Sequence, residues 1–205
     1  MSRPAALAEG ADRRVAGLQR RLKALLIGLA LACVLATGLV LAPRVTKPPA
    51  LPSPAYLQAK GDAFFAASFK RLASGVQSLQ PLQPLQPLRG QPVIAYFWAS
   101  GCAACTDEVK ALQAMQDQYR ARGLVVVGFG VDQADRIERF VRDNAIAFTV
   151  FAGGQAAIDL SKKLGNLREG MPFVVALDQH GRAALHHLGR FAPQTAQDMA
   201  AAALK

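Results

Sequence analysis

The run Val93 to Trp98 leads through Ala99-Ser100-Gly101 into Cys102-Ala103-Ala104-Cys105, and this junction constrains the fold more than any other stretch. A short, β-branched and aromatic run with no polar alternation predicts a strand buried on both faces. After the cysteines, Val109, Leu112, Met115 and Tyr119 recur at helical spacing and predict an amphipathic helix over 106–121. Two cysteines at i and i+3 in a first helical turn share one face and lie within disulfide reach, so they read as a redox pair. Cys102 meets the positive end of the helix dipole, which favours thiolate and makes it the expected nucleophile. Cys105, one turn deeper, is the expected resolving thiol.

A Cys-x-x-Cys spacing is also half of a zinc site, and zinc as a rule needs four ligands. Cys33 is the one other cysteine and lies far away in an apolar run, while His180, His186 and His187 lack the spacing of a metal knuckle. The expectation is a site without metal or cofactor.

The net charge of +10 is unevenly spread. Residues 1–92 carry 12 Lys/Arg against 3 Asp/Glu, and residues 93–205 carry 12 against 11. A nucleic-acid-binding domain would hold its basic residues on the folded part, so the isoelectric point near 10.1 does not imply DNA or RNA. It reflects the flanks of an apolar segment.

That segment, residues 24–42, has 19 residues without charge, about the length that crosses a hydrocarbon core. Six Lys/Arg precede it (Arg3, Arg13, Arg14, Arg20, Arg21, Lys23), against three in the next twenty residues (Arg44, Lys47, Lys60). This bias predicts a single-pass inner-membrane anchor, with residues 1–23 as a basic cytoplasmic N-terminus and the rest in the periplasm. A cleaved signal peptide is the competing reading, since Val40-Leu41-Ala42 has small-residue character. Pro43 after the cut and the 23-residue charged lead favour an uncleaved anchor. Lipidation at Cys33 would need a better lipobox than Ala30-Leu31-Ala32.

Residues 43–87 read as a linker and lead-in. Pro43, Pro48, Pro49, Pro52 and Pro54 cluster, and Leu-Gln-Pro repeats three times over 79–87. Proline at every third position suits polyproline II, a semi-rigid spacer. Residues 55–79 have two readings: Phe64, Phe65, Phe69, Leu72 and Val76 fit a helical stripe, and Ser74-Gly75 fits the turn of a small hairpin.

Beyond the first helix, strands are expected at 124–130, 148–151, 173–177 and 183–188, the last two joined by the turn Asp178-Gln179-His180-Gly181. Helices are expected over 132–144 with Asp132 as cap, over 156–164 ending at Gly165, and over 193–204 with Pro193 in the first turn. This order describes an α/β domain, 88–205, with a mixed central sheet and helices on both faces.

The thiol pair at the first strand-to-helix junction and Met171-Pro172 just before the fourth strand resemble the thioredoxin fold. Within it, the chain looks most like the membrane-anchored thiol-disulfide oxidoreductases of the TlpA/ResA group. Gly90-Gln91-Pro92, Phe97-Trp98-Ala99-Ser100, Cys102 and Cys105, Glu108, Gly170-Met171-Pro172 and the 178–181 turn carry the resemblance. It implies that Pro172 is a cis-proline facing the disulfide, that the Met171 backbone pairs with an extended substrate, and that Trp98 packs beside the site, so that Met171, Pro172 and Trp98 are the expected substrate-binding residues. Thioredoxin keeps a buried aspartate where this chain has Tyr96, so Glu108 and Glu169 are the acidic candidates, with Glu108 and Tyr96 expected as auxiliary residues. Gly101 precedes the nucleophile, Ala104 stands before Cys105, and Phe173 follows the proline in place of the group's frequent glutamate.

The expected activity is thiol-disulfide exchange on extracytoplasmic protein disulfides or thiols, with a membrane protein as electron donor. The alternative is a copper metallochaperone of the same fold, its thiolates joined by His186 or His187. Copper carriers of this fold space their cysteines by three residues, and adjacent histidines in a strand point to opposite faces. A thiol peroxidase would need a threonine three residues before its reactive cysteine, where Ala99 precedes Cys102.

Overall fold

A computed structural model describes residues 23–29, 52–72 and 79–205. Residues 23–29 are helical. Among the described residues no helix is long and apolar enough to cross a membrane. The span expected over 24–42 lies from residue 30 onward, Cys33 included, outside the described residues.

The unit Leu51–Lys205 runs α1 (Pro54–Phe65), β1 (Ser68–Leu72), β2 (Leu79–Pro84), β3 (Val93–Trp98), α2 (Ala103–Tyr119), β4 (Val125–Gly130), α3 (Ala134–Asp143), β5 (Thr149–Ala152), α4 (Gly154–Leu164), β6 (Phe173–Leu177), β7 (Ala183–Leu188) and α5 (Pro193–Ala203). Seven strands form one mixed sheet in the order β2-β1-β5-β4-β3-β6-β7. The central β3, β4 and β5 are parallel, and every other neighbour is antiparallel. Burial on both faces explains why β3 lacks polar alternation: Ile94, Tyr96 and Trp98 join one core with Leu112 and Met115 of α2, Ile137 and Phe140 of α3 and Met199 of α5. Val93, Ala95 and Phe97 join the other core with Phe64 and Phe65 of α1 and Leu160 and Leu164 of α4. Successive strand residues thus feed opposite layers.

The lead-in differs from the sequence reading. Of the linker and lead-in expected over 43–87, the described residues 54–72 and 79–87 belong to the folded unit. The two readings of 55–79 each hold in part: Phe64 and Phe65 lie on a helix, while Phe69 and Leu72 lie on strand β1. The expected turn at Ser74-Gly75, and Val76, lie outside the described residues. Residues 79–84, expected as polyproline II, form edge strand β2 against β1, with Ser68 opposite Pro84 and Lys70 opposite Leu82. Polyproline dihedrals fall within the broad β region, and an edge strand has one open side where a missing N–H breaks no ladder bond. Phe64, Phe65, Phe69 and Leu85 are each 4% exposed or less, and burying such a side chain is worth about 1.5–3 kcal/mol. That term fastens the segment to the sheet.

Contacts with the β6–β7 turn hold α1 in place. A Cβ at Gly61 would stand 1.7 Å from the Gly181 carbonyl oxygen, so only glycine fits. Asp62 pairs with Arg89 at 2.8 Å, and the Arg89 guanidinium lies 4.5 Å above the Phe65 ring. In the turn itself, Asp178 Oδ1 accepts the N–H groups of His180 and Arg182, as the expected hairpin requires.

Candidate active site

Strand β3 ends at Trp98, and Cys102 is the N-cap of α2, with extended backbone (φ −85°, ψ 102°). The geometry follows from the sequence: the apolar run ends at Trp98, and Ala103 and Ala104 open the helix. Cys102 and Cys105 are joined in a disulfide with Cα atoms 5.4 Å apart. Cys102 is half-buried, whereas Cys105 is wholly buried. A thiol that reaches solvent can attack an external disulfide, and a buried one can attack only its neighbour.

The Met171–Pro172 peptide is cis, as the resemblance implied. Antiparallel pairing of β3 and β6 sets Phe97 opposite Phe173, so Trp98 and Pro172 follow one step further along. The loops carrying Cys102 and Pro172 therefore leave the same end of the sheet. Asn166 fixes the second loop by donating to the Gly170 carbonyl at 2.9 Å. Glu169, the other acidic candidate, is turned outward and pairs with Lys162 at 2.8 Å.

Glu108 and Tyr96 come together under the pair. The Tyr96 hydroxyl donates to Glu108 Oε2 at 2.8 Å, and the Phe191 N–H donates to Oε1 at 3.0 Å. Burial pushes the Glu108 carboxyl above the ordinary range, opposed by these two donors and by the charges of Arg190 and His187. Burial, then the Glu108 charge and its hydrogen bond, push the Tyr96 phenol up, so it stays protonated. Glu108 also lines a largely apolar groove of about 690 Å³ between α2 and α5.

Trp98 was expected to contact substrate, and here the structure corrects the sequence. It is fully buried, stacked on Tyr96 at 5.8 Å between ring centroids and tilted against Phe140. The alternation of β3 turns it into the core with Tyr96, so it underlies the site without offering it a surface. Gly128 makes room for it: a Cβ there would stand 2.6 Å from Trp98 Cζ3.

Asp132 is a second correction. Gln133 is the N-cap of α3, and the Asp132 carboxylate instead accepts the Ser100 N–H across the site. An aspartate just before a helix signals a cap, and nothing local to it announces a partner 32 residues away.

The histidines of the copper reading lie on β7. His187 Nε2 is 3.2 Å from the Arg190 carbonyl oxygen, and His186 packs on Phe173, with burial and then the charge of Lys60 lowering its pKa. Among the described residues no three His, Cys, Asp or Glu side chains are grouped as a metal site would require.

Residues 74–185 match the family described as AhpC/TSA. Among curated proteins none matches the chain. Solved structures share the fold, three of them as follows. The Mycobacterium tuberculosis (MTB) protein DsbF, in mixed oxidised and reduced forms, is 21% identical with a TM-score of 0.57, over 70% of this chain and 98% of that one. A candidate thiol:disulfide interchange protein DsbE from Chlorobium tepidum is 26% identical with a TM-score of 0.56, over 68% and 95%. A secreted thiol-disulfide isomerase from Corynebacterium glutamicum is 23% identical with a TM-score of 0.57, over 68% and 83%. The architecture is thioredoxin-like.

Proposed function

The chain belongs to the AhpC/TSA family, and on that premise we propose that Cys102 and Cys105 carry out thiol-disulfide exchange on protein substrates. One observation carries the reading: the two sulfurs are bonded within one helical turn, with Cys102 reaching solvent and Cys105 closed off. In the reduced protein the Cys102 thiolate attacks a substrate disulfide. A Cys102–substrate disulfide forms, and the displaced substrate sulfur leaves as a thiolate that takes up a proton. Cys105 loses its proton and attacks Cys102 Sγ, which releases the second substrate sulfur. Two electrons pass to the substrate, and the protein is left with the Cys102–Cys105 disulfide.

Among the described residues the buried carboxylates are Glu108 and Asp178. Asp178 is committed to Arg182 in the β6–β7 turn. Glu108 sits one turn beyond Cys105 on the same helix face and is the acceptor we assign to the Cys105 proton, with Tyr96 holding its carboxylate. The Met171 backbone beside the cis-proline is assigned to pair with the extended substrate as an added strand.

The finer assignment is to the TlpA/ResA group: a reductase anchored in the inner membrane through residues 24–42, acting on periplasmic protein disulfides and recharged by a membrane electron donor. The charge bias around residues 24–42 supports the anchor and its orientation. An oxidising compartment gives a reductase its task and requires that electrons come from across the membrane.

Equilibration of the Cys102/Cys105 couple in glutathione buffers tests the direction. A potential at or below about −250 mV, near the roughly −270 mV of thioredoxin, supports the reductase. A value near about −120 mV would make the protein an oxidant and overturn that direction.

A further inference from the structure

An open pocket of about 580 Å³ begins one residue before Cys102. Residues 99–101 form one wall, and Asp132, Arg136, Arg139 and Asp143 form the other. The charges on that second wall are unequally committed. Asp132 accepts the Ser100 N–H, Arg139 pairs with Asp135 at 3.0 Å, and Asp143 lies 3.5 Å from Arg142. Arg136 is exposed and, among the described residues, its side chain enters no ion pair and no hydrogen bond. It also lines a second pocket of about 490 Å³ beyond Asp132, so its guanidinium has space on both sides.

Gly101 adjoins Cys102 and lines this pocket, so a substrate chain that leaves Cys102 over Gly101 enters it, and an extended chain advances about 3.3–3.6 Å per residue. Residues two or three positions from the attacked cysteine then run along this pocket. A guanidinium presents a planar fork suited to a carboxylate. We propose that Arg136 is a specificity residue that binds a carboxylate of the substrate, so that disulfides flanked by an acidic side chain are preferred. The proposal rests on the exchange activity above.

The test uses the full chain and two disulfide peptides that differ only in Glu or Gln two residues from the attacked cysteine. The readout is the ratio of their kcat/KM values, taken within each protein so that a general loss of activity cancels. Wild type should prefer the Glu peptide by about two- to five-fold at low salt, the range of a single exposed ion pair. The preference should shrink as salt rises. Arg136→Gln should bring the ratio to one, and Arg136→Glu should invert it. Arg120→Gln removes the same charge at the far end of α2, where Arg120 pairs with Asp117, and should keep the wild-type ratio. A wild-type ratio of one, a ratio that survives Arg136→Gln, or an equal change in Arg120→Gln would overturn the assignment. Turnover of the Gln peptide by wild type reports separately on exchange itself: if present, a failed ratio removes only the role of Arg136, and if absent, the exchange reading fails with it.

Discussion

The Tyr96 hydroxyl donates to Glu108 Oε2 at 2.8 Å, so the strand position where thioredoxin keeps an aspartate is tied here to a carboxylate on the following helix. The buried carboxylate here stands on the helix, and the tyrosine reaches across to hold it. Tyr96→Phe removes that donor and leaves a buried oxygen short of a partner, which costs about 1–3 kcal/mol. The same hydrogen bond lowers the Glu108 pKa, so its loss raises that pKa further. Urea unfolding should show the stability loss, and the pH profile of substrate release should move to higher pH.

Glu108 also makes the stability of the fold depend on pH. Its carboxyl is held above the ordinary range, chiefly by burial, so the folded state binds the proton more tightly than the unfolded one. The favourable contribution is therefore complete below the unfolded value, about 4.3 for glutamate. It is lost as pH rises through the folded value. Glu108→Gln removes this titration while keeping a side chain that can face Tyr96 and Phe191. Unfolding free energies between pH 4 and 8 should fall less steeply in the variant than in wild type, while release of substrate through Cys105 slows.

Gly61 tests whether the lead-in belongs to the fold. A Cβ at this position meets the Gly181 carbonyl oxygen at 1.7 Å, and backbone cannot move aside as a flexible side chain can. Gly61→Ala should cost at least the roughly 1–3 kcal/mol of ordinary overpacking and should lift α1 from the β6–β7 turn. Limited proteolysis should then cut within 54–65, a segment expected to resist cleavage in wild type. A variant as resistant as wild type would place the fold's boundary later in the chain.

Gly128 makes the corresponding test on the other face of the sheet. A Cβ there would stand 2.6 Å from Trp98 Cζ3 and 2.9 Å from Phe148 Cε2. Gly128→Ala should therefore destabilise by about 1–3 kcal/mol and shift Trp98 from its place on Tyr96. Trp98 is the one tryptophan in the chain, so its emission reports the shift directly.

The order of strands and helices from residue 93 onward was legible because the parallel strands are buried on both sides and read as unbroken apolar runs. The cysteine pair was legible because its spacing and its place at a strand-to-helix junction carry chemistry of their own. The lead-in was not, since proline at every third residue suits polyproline II and an edge strand equally, and only the partner strand decides between them. Asp132 was read as a cap because its partner, the Ser100 N–H, belongs to a distant loop. The Tyr96–Glu108 contact needs a strand and a helix in register across the core, which spacing along one chain cannot reveal.

The central claim is that Cys102 attacks and Cys105 resolves. The most direct measurement is to mix reduced Cys105→Ser, as the full chain, with a disulfide-bearing protein and map the resulting mixed disulfide by mass spectrometry of linked peptides. The account predicts a stable one-to-one complex joined through Cys102, and no complex and no turnover for Cys102→Ser. A complex joined through Cys105 in Cys102→Ser, or disulfide reduction that survives in that variant, would contradict it.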